Sequence, residues 1–147
     1  MLRNPAGQHP RRIHPARPGK ALRTRLAAVP AGTLTAGPAL AATTAVMLDI
    51  DGDQPGQLWT TLTTSVRQAI TDVLGSKAVA NPPGPPHITL AYGIGDTDSG
   101  PIQGALRHRA RPARAPLTID AVYLVDVIQD PQQAVYHWST VTSFLLG

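Results

Sequence analysis

The chain has 147 residues, no cysteine, and 13 Lys+Arg against 9 Asp+Glu, with a pI near 10.1. That length suits one domain, at roughly 100–200 residues each, and without cysteine there is no disulfide framework, thiolate metal site or cysteine nucleophile. Seven of the basic residues lie in the first 25 positions, which hold no acid, while 26–147 carries 6 basic and 9 acidic residues, a balance of −3. The high pI therefore belongs to one segment and does not mark the whole chain as a nucleic-acid-binding domain.

Residues 1–25 are rich in Pro, Arg and His and show no apolar periodicity. Such a stretch cannot bury enough surface to offset its ordering entropy, so disorder is expected, with a domain over 26–147. A signal peptide is the rival reading, from the basic start, Arg11-Arg12 and the small residues Ala39–Ala41. Its hydrophobic region, Leu26 to Leu40, is interrupted by Pro30, Gly32, Thr33, Thr35 and Gly37. No run of 18 apolar residues offers a membrane span, and a cytoplasmic location is the expectation.

Thr33–Leu40 and Ala45–Ile50 read as two neighbouring strands, and the Asp-Gly-Asp at 51–53 reads as a turn. The series Asp49-Ile50-Asp51-Gly52-Asp53 resembles the start of a calcium loop, but the closing Glu is missing and all nine acids are Asp. Leu58, Leu62, Val66, Ala69, Ile70 and Val73 recur at helical spacing, with Trp59 beside the stripe. Pro55 suits the first turn, and Gly75 suits the C-terminal cap.

Asn81–Pro86 is proline-rich and excludes helix or central strand. It leads into His87–Ile94, where strict alternation sends Ile88, Leu90, Tyr92 and Ile94 towards the helix and His87, Thr89, Ala91 and Gly93 to the other face. After a Gly/Asp loop, Pro101–His108 has the composition of a short helix, and 107–114 reads as a basic loop. Pro116–Ile128 and Ala134–Leu146 read as two long strands joined by a turn at Gln129–Gln133. The order predicts an α+β fold, with helices on one face of a mainly antiparallel sheet.

His87 and Thr89, two apart on one strand face, form the candidate chemistry. An imidazole titrates near neutrality and passes protons, and a hydroxyl beside it donates to a phosphate oxygen. A solvated strand histidine is the plainer reading of that pair alone. Tyr92, Arg107 and Arg109 are candidate substrate-binding residues. The arginines at 107, 109, 111 and 114 suit either phosphate contacts or a solvated loop. His137-Trp138-Ser139 repeats the His-x-Ser spacing in a strand where alternation alone accounts for it. His108 sits among arginines and reads as solvated.

The proline-rich lead-in, His87-Ile88-Thr89-Leu90-Ala91-Tyr92, the Gly/Asp loop and the short helix together resemble the second signature of the two-histidine phosphoesterase superfamily. They are most similar to its 2′-5′ RNA ligase-like proteins. Leu22–Asp51, the Trp59 helix ending in Asp72-Val73-Leu74-Gly75 and the final Ala134–Gly147 also look like that family, over about residues 21–147. The resemblance implies a two-lobed fold with two His-x-Thr/Ser motifs facing a groove, needing neither metal nor other cofactor. One histidine would act as general base and the other as general acid on 2′,3′-cyclic phosphates or 2′-5′ linked RNA. Here His87 would be one acid/base and Thr89 its phosphate holder, with RNA ends or cyclic nucleotides as substrates. His9 and His14 are not followed by x-Ser/Thr, so the first motif is expected to be missing and activity impaired. A non-catalytic RNA- or nucleotide-phosphate-binding remnant is the alternative, and a frame-shifted or mis-started gene is a third explanation for the N-terminal segment.

Overall fold

The computed structural model describes residues 16–52, 56–111, 113–130, 133 and 135–147. The disorder expected for 1–15, and the parts given to Pro55, Pro131 and Gln132, lie outside them.

Over residues 16–25 the structure corrects the sequence reading. A helix, α1 (Ala16–Leu26), replaces the expected disorder. Pro18 falls in its first turn, where a missing N–H costs no intrahelical bond. Leu22 and Leu26, one turn apart, are 4% and 0% exposed, and Val29 just beyond is also buried. Arg23 and Arg25 occupy the last turn, where the helix dipole favours cations. Two leucines and a valine make a poor periodic signal alone; they order the segment because a second helix supplies the other half of the contact.

That helix, α2 (Leu58–Leu74), follows the periodic stripe, burying Leu58, Leu62 and Ala69. It stops at Gly75, whose φ of 83° suits glycine and whose N–H bonds the Thr71 carbonyl at 2.9 Å. Arg25 of α1 reaches Asp72 of α2 at 2.7 Å, with both side chains about 40% exposed, so solvent screens most of that attraction. Donation from Gln68 Nε2 first, and from Arg25 second, holds the Asp72 carboxyl below its ordinary value.

The main sheet is β1 (Gly32–Ala41), β2 (Ala45–Asp51), β3 (His87–Tyr92) and β4 (Ala115–Ile119). All are antiparallel, in the spatial order β3-β2-β1-β4. Leu34 of β1 and Ile50 of β2 share one face and join Leu26, Leu58 and Leu62 in the core. Thr35, Asp49 and Asp51 alternate with them and therefore take the opposite face. The fold is α+β, with α1 and α2 on the face of Leu34 and Ile50.

The stretch expected to be one strand from Pro116 is two. Asp120 separates β4 from β5 (Ala121–Asp130), and β5 pairs antiparallel with β6 (Val135–Leu145) in a separate sheet. Phe144 of β6, 1% exposed, anchors this hairpin to the core, with the Arg23 guanidinium 5.8 Å from its ring centre. The chain end fastens it further: Gly147 N–H donates to Val29, and Ala31 N–H to Gly147, at 2.9 and 3.0 Å. Among the described residues no helix is long and apolar enough to cross a membrane.

Candidate functional site

His87 opens β3, an edge strand, and the residues before it are held from behind. Arg67 of α2 donates to the carbonyls of Val79 and Asn81 at 2.5 and 2.6 Å. This ties the start of the proline-rich segment to the helix, so the strand begins from a fixed point. His87 Nδ1 lies 3.0 Å from the Pro85 carbonyl. A carbonyl only accepts, so Nδ1 carries the proton in that bond and the Nε2 lone pair is left for a ligand.

Strand register sets what stands beside the imidazole. Asp49 is directly opposite His87, Leu48 opposite Ile88, and Met47 opposite Thr89. Opposed residues project from the same face, so His87 and Thr89 share the face of Asp49, away from the helices. Thr89 is half-buried there and His87 is exposed.

Beyond Thr89 the expected alternation fails. A bulge carries the pairing from Met47–Thr89 to Val46–Ala91 and Ala45–Tyr92, leaving Leu90 extra. Ala91 therefore moves to the helix side and Tyr92, opposite Ala45, comes round to the face of His87 and Thr89. Re-aiming a side chain is a common result of a bulge. The expected packing of Ile88, Leu90 and Tyr92 under the helix does not occur: they are 39%, 54% and 55% exposed. The stripe of α2 meets Ile50 and Leu34, one and two strands further in. Tyr92 instead meets Tyr136 of β6, with ring centres 5.4 Å apart at 40°, a contact that links the two sheets.

Arg107 and Arg109 lie not in a loop but on a π-helical turn, Leu106–Ala110, which extends α3 (Ser99–Ala105). Asp98 caps α3 by accepting from the Gly100 N–H at 2.9 Å, and Gln103 Oε1 accepts from the Ala41 N–H at the same distance. Both arginines are exposed. His137 stands opposite Ile128 and is exposed, on the other hairpin face from Tyr136 and Trp138.

A cavity of about 280 Å³ is lined by Asp49, Asp51, Trp59, Pro86 and Arg114 around Gly37; Pro86, the residue before His87, is part of its wall, while His87 itself is not. Arg107 and Arg109 do not line it; Arg114 does. Gly37 bulges from β1 with φ 103°, and a Cβ there would collide with the Ala113 carbonyl oxygen. Gly52 serves the other wall, since a Cβ would come within 2.8 Å of Pro86 Cγ and 2.9 Å of Trp59 Cβ. Sequence reasoning placed Asp49 in the strand Ala45–Ile50 and gave it no part in a site with His87. Only the cross-strand register sets it beside His87, and no local pattern carries that information.

The arrangement is that of an α+β domain with a His-Thr pair on an open sheet face. Among solved structures the chain resembles TT0787 of Thermus thermophilus, with a TM-score of 0.60 and 20% identity over 95% of this chain and 73% of that one. At that identity the likeness shows the fold alone. No protein-family model and no curated protein matches the chain.

Proposed function

We infer that this chain is a metal-independent phosphoesterase of the 2′-5′ RNA ligase type, acting in the cytoplasm on 2′,3′-cyclic phosphates or 2′-5′ linked RNA or nucleotides. The carrying observation is His87 with its Nδ1 proton engaged by Pro85 and its Nε2 open, beside Thr89 on one exposed face. In hydrolysis of a cyclic phosphate, Nε2 takes the proton of the attacking water as the new O–P bond forms. The bond from phosphorus to one ribose oxygen breaks, and that oxygen is protonated by the imidazolium so formed or by water. The Thr89 hydroxyl donates to a phosphate oxygen, and Tyr92 closes the far end of the face. Arg107 and Arg109 attract the polyanion from the neighbouring turn.

A general acid or base contributes typically about 10²–10⁴-fold. One His-x-Thr pair therefore leaves turnover lower by about that factor than a site with two. The test is chromatography of 2′,3′-cyclic nucleotides incubated with the pure chain. His87→Ala is expected to lose turnover by at least about 10²-fold, and Thr89→Val to weaken substrate binding. Unchanged turnover in His87→Ala overturns the reading.

The single His-x-Thr pair also favours a second reading, a module that binds nucleotide phosphates without turnover. It expects binding that falls steeply with salt and no product in the same assay.

A further inference from the structure

The structure points to a guanine-specific subsite beside His87, a conclusion that rests on His87 and Thr89 being the phosphate-handling pair. Four positions lie in a row across the main sheet. His87 is on β3 and Asp49 opposite it on β2; Gly37 stands in the bulge of β1 that faces Asp49, and Arg114 stands just before β4, against Gly37. Because Gly37 has no side chain, the row has a gap between a carboxylate and a guanidinium. The cavity of about 280 Å³ fills that gap, with Asp51, Trp59 and Pro86 completing its lining. Neighbouring strands are roughly 5 Å apart, so the gap lies about two strand spacings from His87. That is the reach of one nucleoside from its ribose phosphate.

The polar groups around the gap select the base. An ionised carboxylate only accepts hydrogen bonds and a guanidinium only donates them. Among the described residues, the side chains of Asp49 and Arg114 find neither a hydrogen-bond nor an ion-pair partner. Their hydrogen-bonding capacity, met by solvent in the free chain, is open to a ligand that enters the cavity. A base that satisfies both needs an edge of donors next to an edge of acceptors. Guanine has one: N1–H and the N2 amine face a carboxylate, while O6 and N7 accept a guanidinium as a bidentate pair. Adenine offers one amine, N6, between the acceptors N1 and N7, and cytosine offers one, N4, beside the acceptor N3, so neither presents two adjacent donors next to two acceptors. Uracil has no amine. Trp59 supplies an aromatic wall, of the kind on which bases stack. Asp49 and Arg114 are exposed, so replacing them leaves the core intact.

Isothermal titration of the full chain with 3′-GMP, 3′-AMP, 3′-CMP, 3′-UMP and inosine 3′-monophosphate tests this. Tightest binding is expected for 3′-GMP. Inosine, which lacks the N2 amine, should bind weaker by roughly 10- to 100-fold, as for one hydrogen bond to a charged group. Asp49→Asn and Arg114→Ala should each remove most of the preference for guanine while circular dichroism stays unchanged. Equal affinity for all bases, or an unaltered preference in Asp49→Asn, overturns the subsite and leaves the phosphoesterase reading standing if cyclic nucleotides are turned over. Selective guanine binding without turnover keeps the subsite and removes the phosphoesterase. No binding of any nucleotide overturns the subsite.

Discussion

Leu26→Ala tests whether the segment before residue 27 is part of the core. Leu26 is fully buried and sits among Leu22, Val29, Leu34 and the α2 leucines. Removing three carbons forfeits about 0.8 kcal/mol each in transfer free energy. The cavity left behind adds to this, and measured Leu→Ala costs run about 2–5 kcal/mol. Total stability for a domain is only about 5–15 kcal/mol, so a large share would be lost. At about 2–4 °C per kcal/mol for a chain of this size, the thermal midpoint should fall by roughly 5–15 °C. Urea unfolding followed by circular dichroism measures the free energy, and a melting curve measures the midpoint. A change below about 1 kcal/mol, as for an exposed surface position, would refute the packing of α1 against α2 and return residues 16–26 to a tail.

Two further predictions concern single positions. Gly37→Ala combines a positive φ with a collision at the Ala113 carbonyl, so it should destabilise by about 1–3 kcal/mol or more in the same urea titration. Asp72 has its folded pKa depressed by Gln68 and Arg25. Its contribution is therefore present above the unfolded value, near 3.8, and is lost as pH falls through the folded value. Gln68→Ala should lower the thermal midpoint slightly at pH 7, and the gap from wild type should close in the acid range below pH 3.8; a gap that widens on acidification contradicts the assignment.

The elements whose signal is local were legible. The stripe from Leu58 to Val73 and its stop at Gly75 gave α2, and runs of Thr, apolar and β-branched residues bounded by turn signals gave β1, β2 and the paired strands of the final hairpin. The proline-rich lead-in marked the start of β3 at His87. What was not legible depends on partners distant in the chain. α1 carries three Arg, a Lys, a Pro and a Gly in eleven residues, and two leucines hold it only because α2 is there to receive them. The break at Asp120 follows from β4 pairing with β1 while β5 pairs with β6, a choice no run of β-formers records. The bulge at Leu90 overrides the period of two and moves Tyr92 across the sheet. Asp49 and Arg114 are 65 positions apart in sequence and meet around Gly37 only through two strand pairings, β2 with β1 and β1 with β4.

The central claim is that His87 moves the proton in phosphodiester chemistry on the exposed sheet face. The most direct measurement is a phosphorus NMR time course of a 2′,3′-cyclic nucleotide with the wild-type chain and with His87→Ala, side by side. The cyclic phosphate signal is expected to give way to a monoester with the wild type and to persist with the variant. Equal conversion by both proteins, or persistence of the cyclic signal with both, would contradict it.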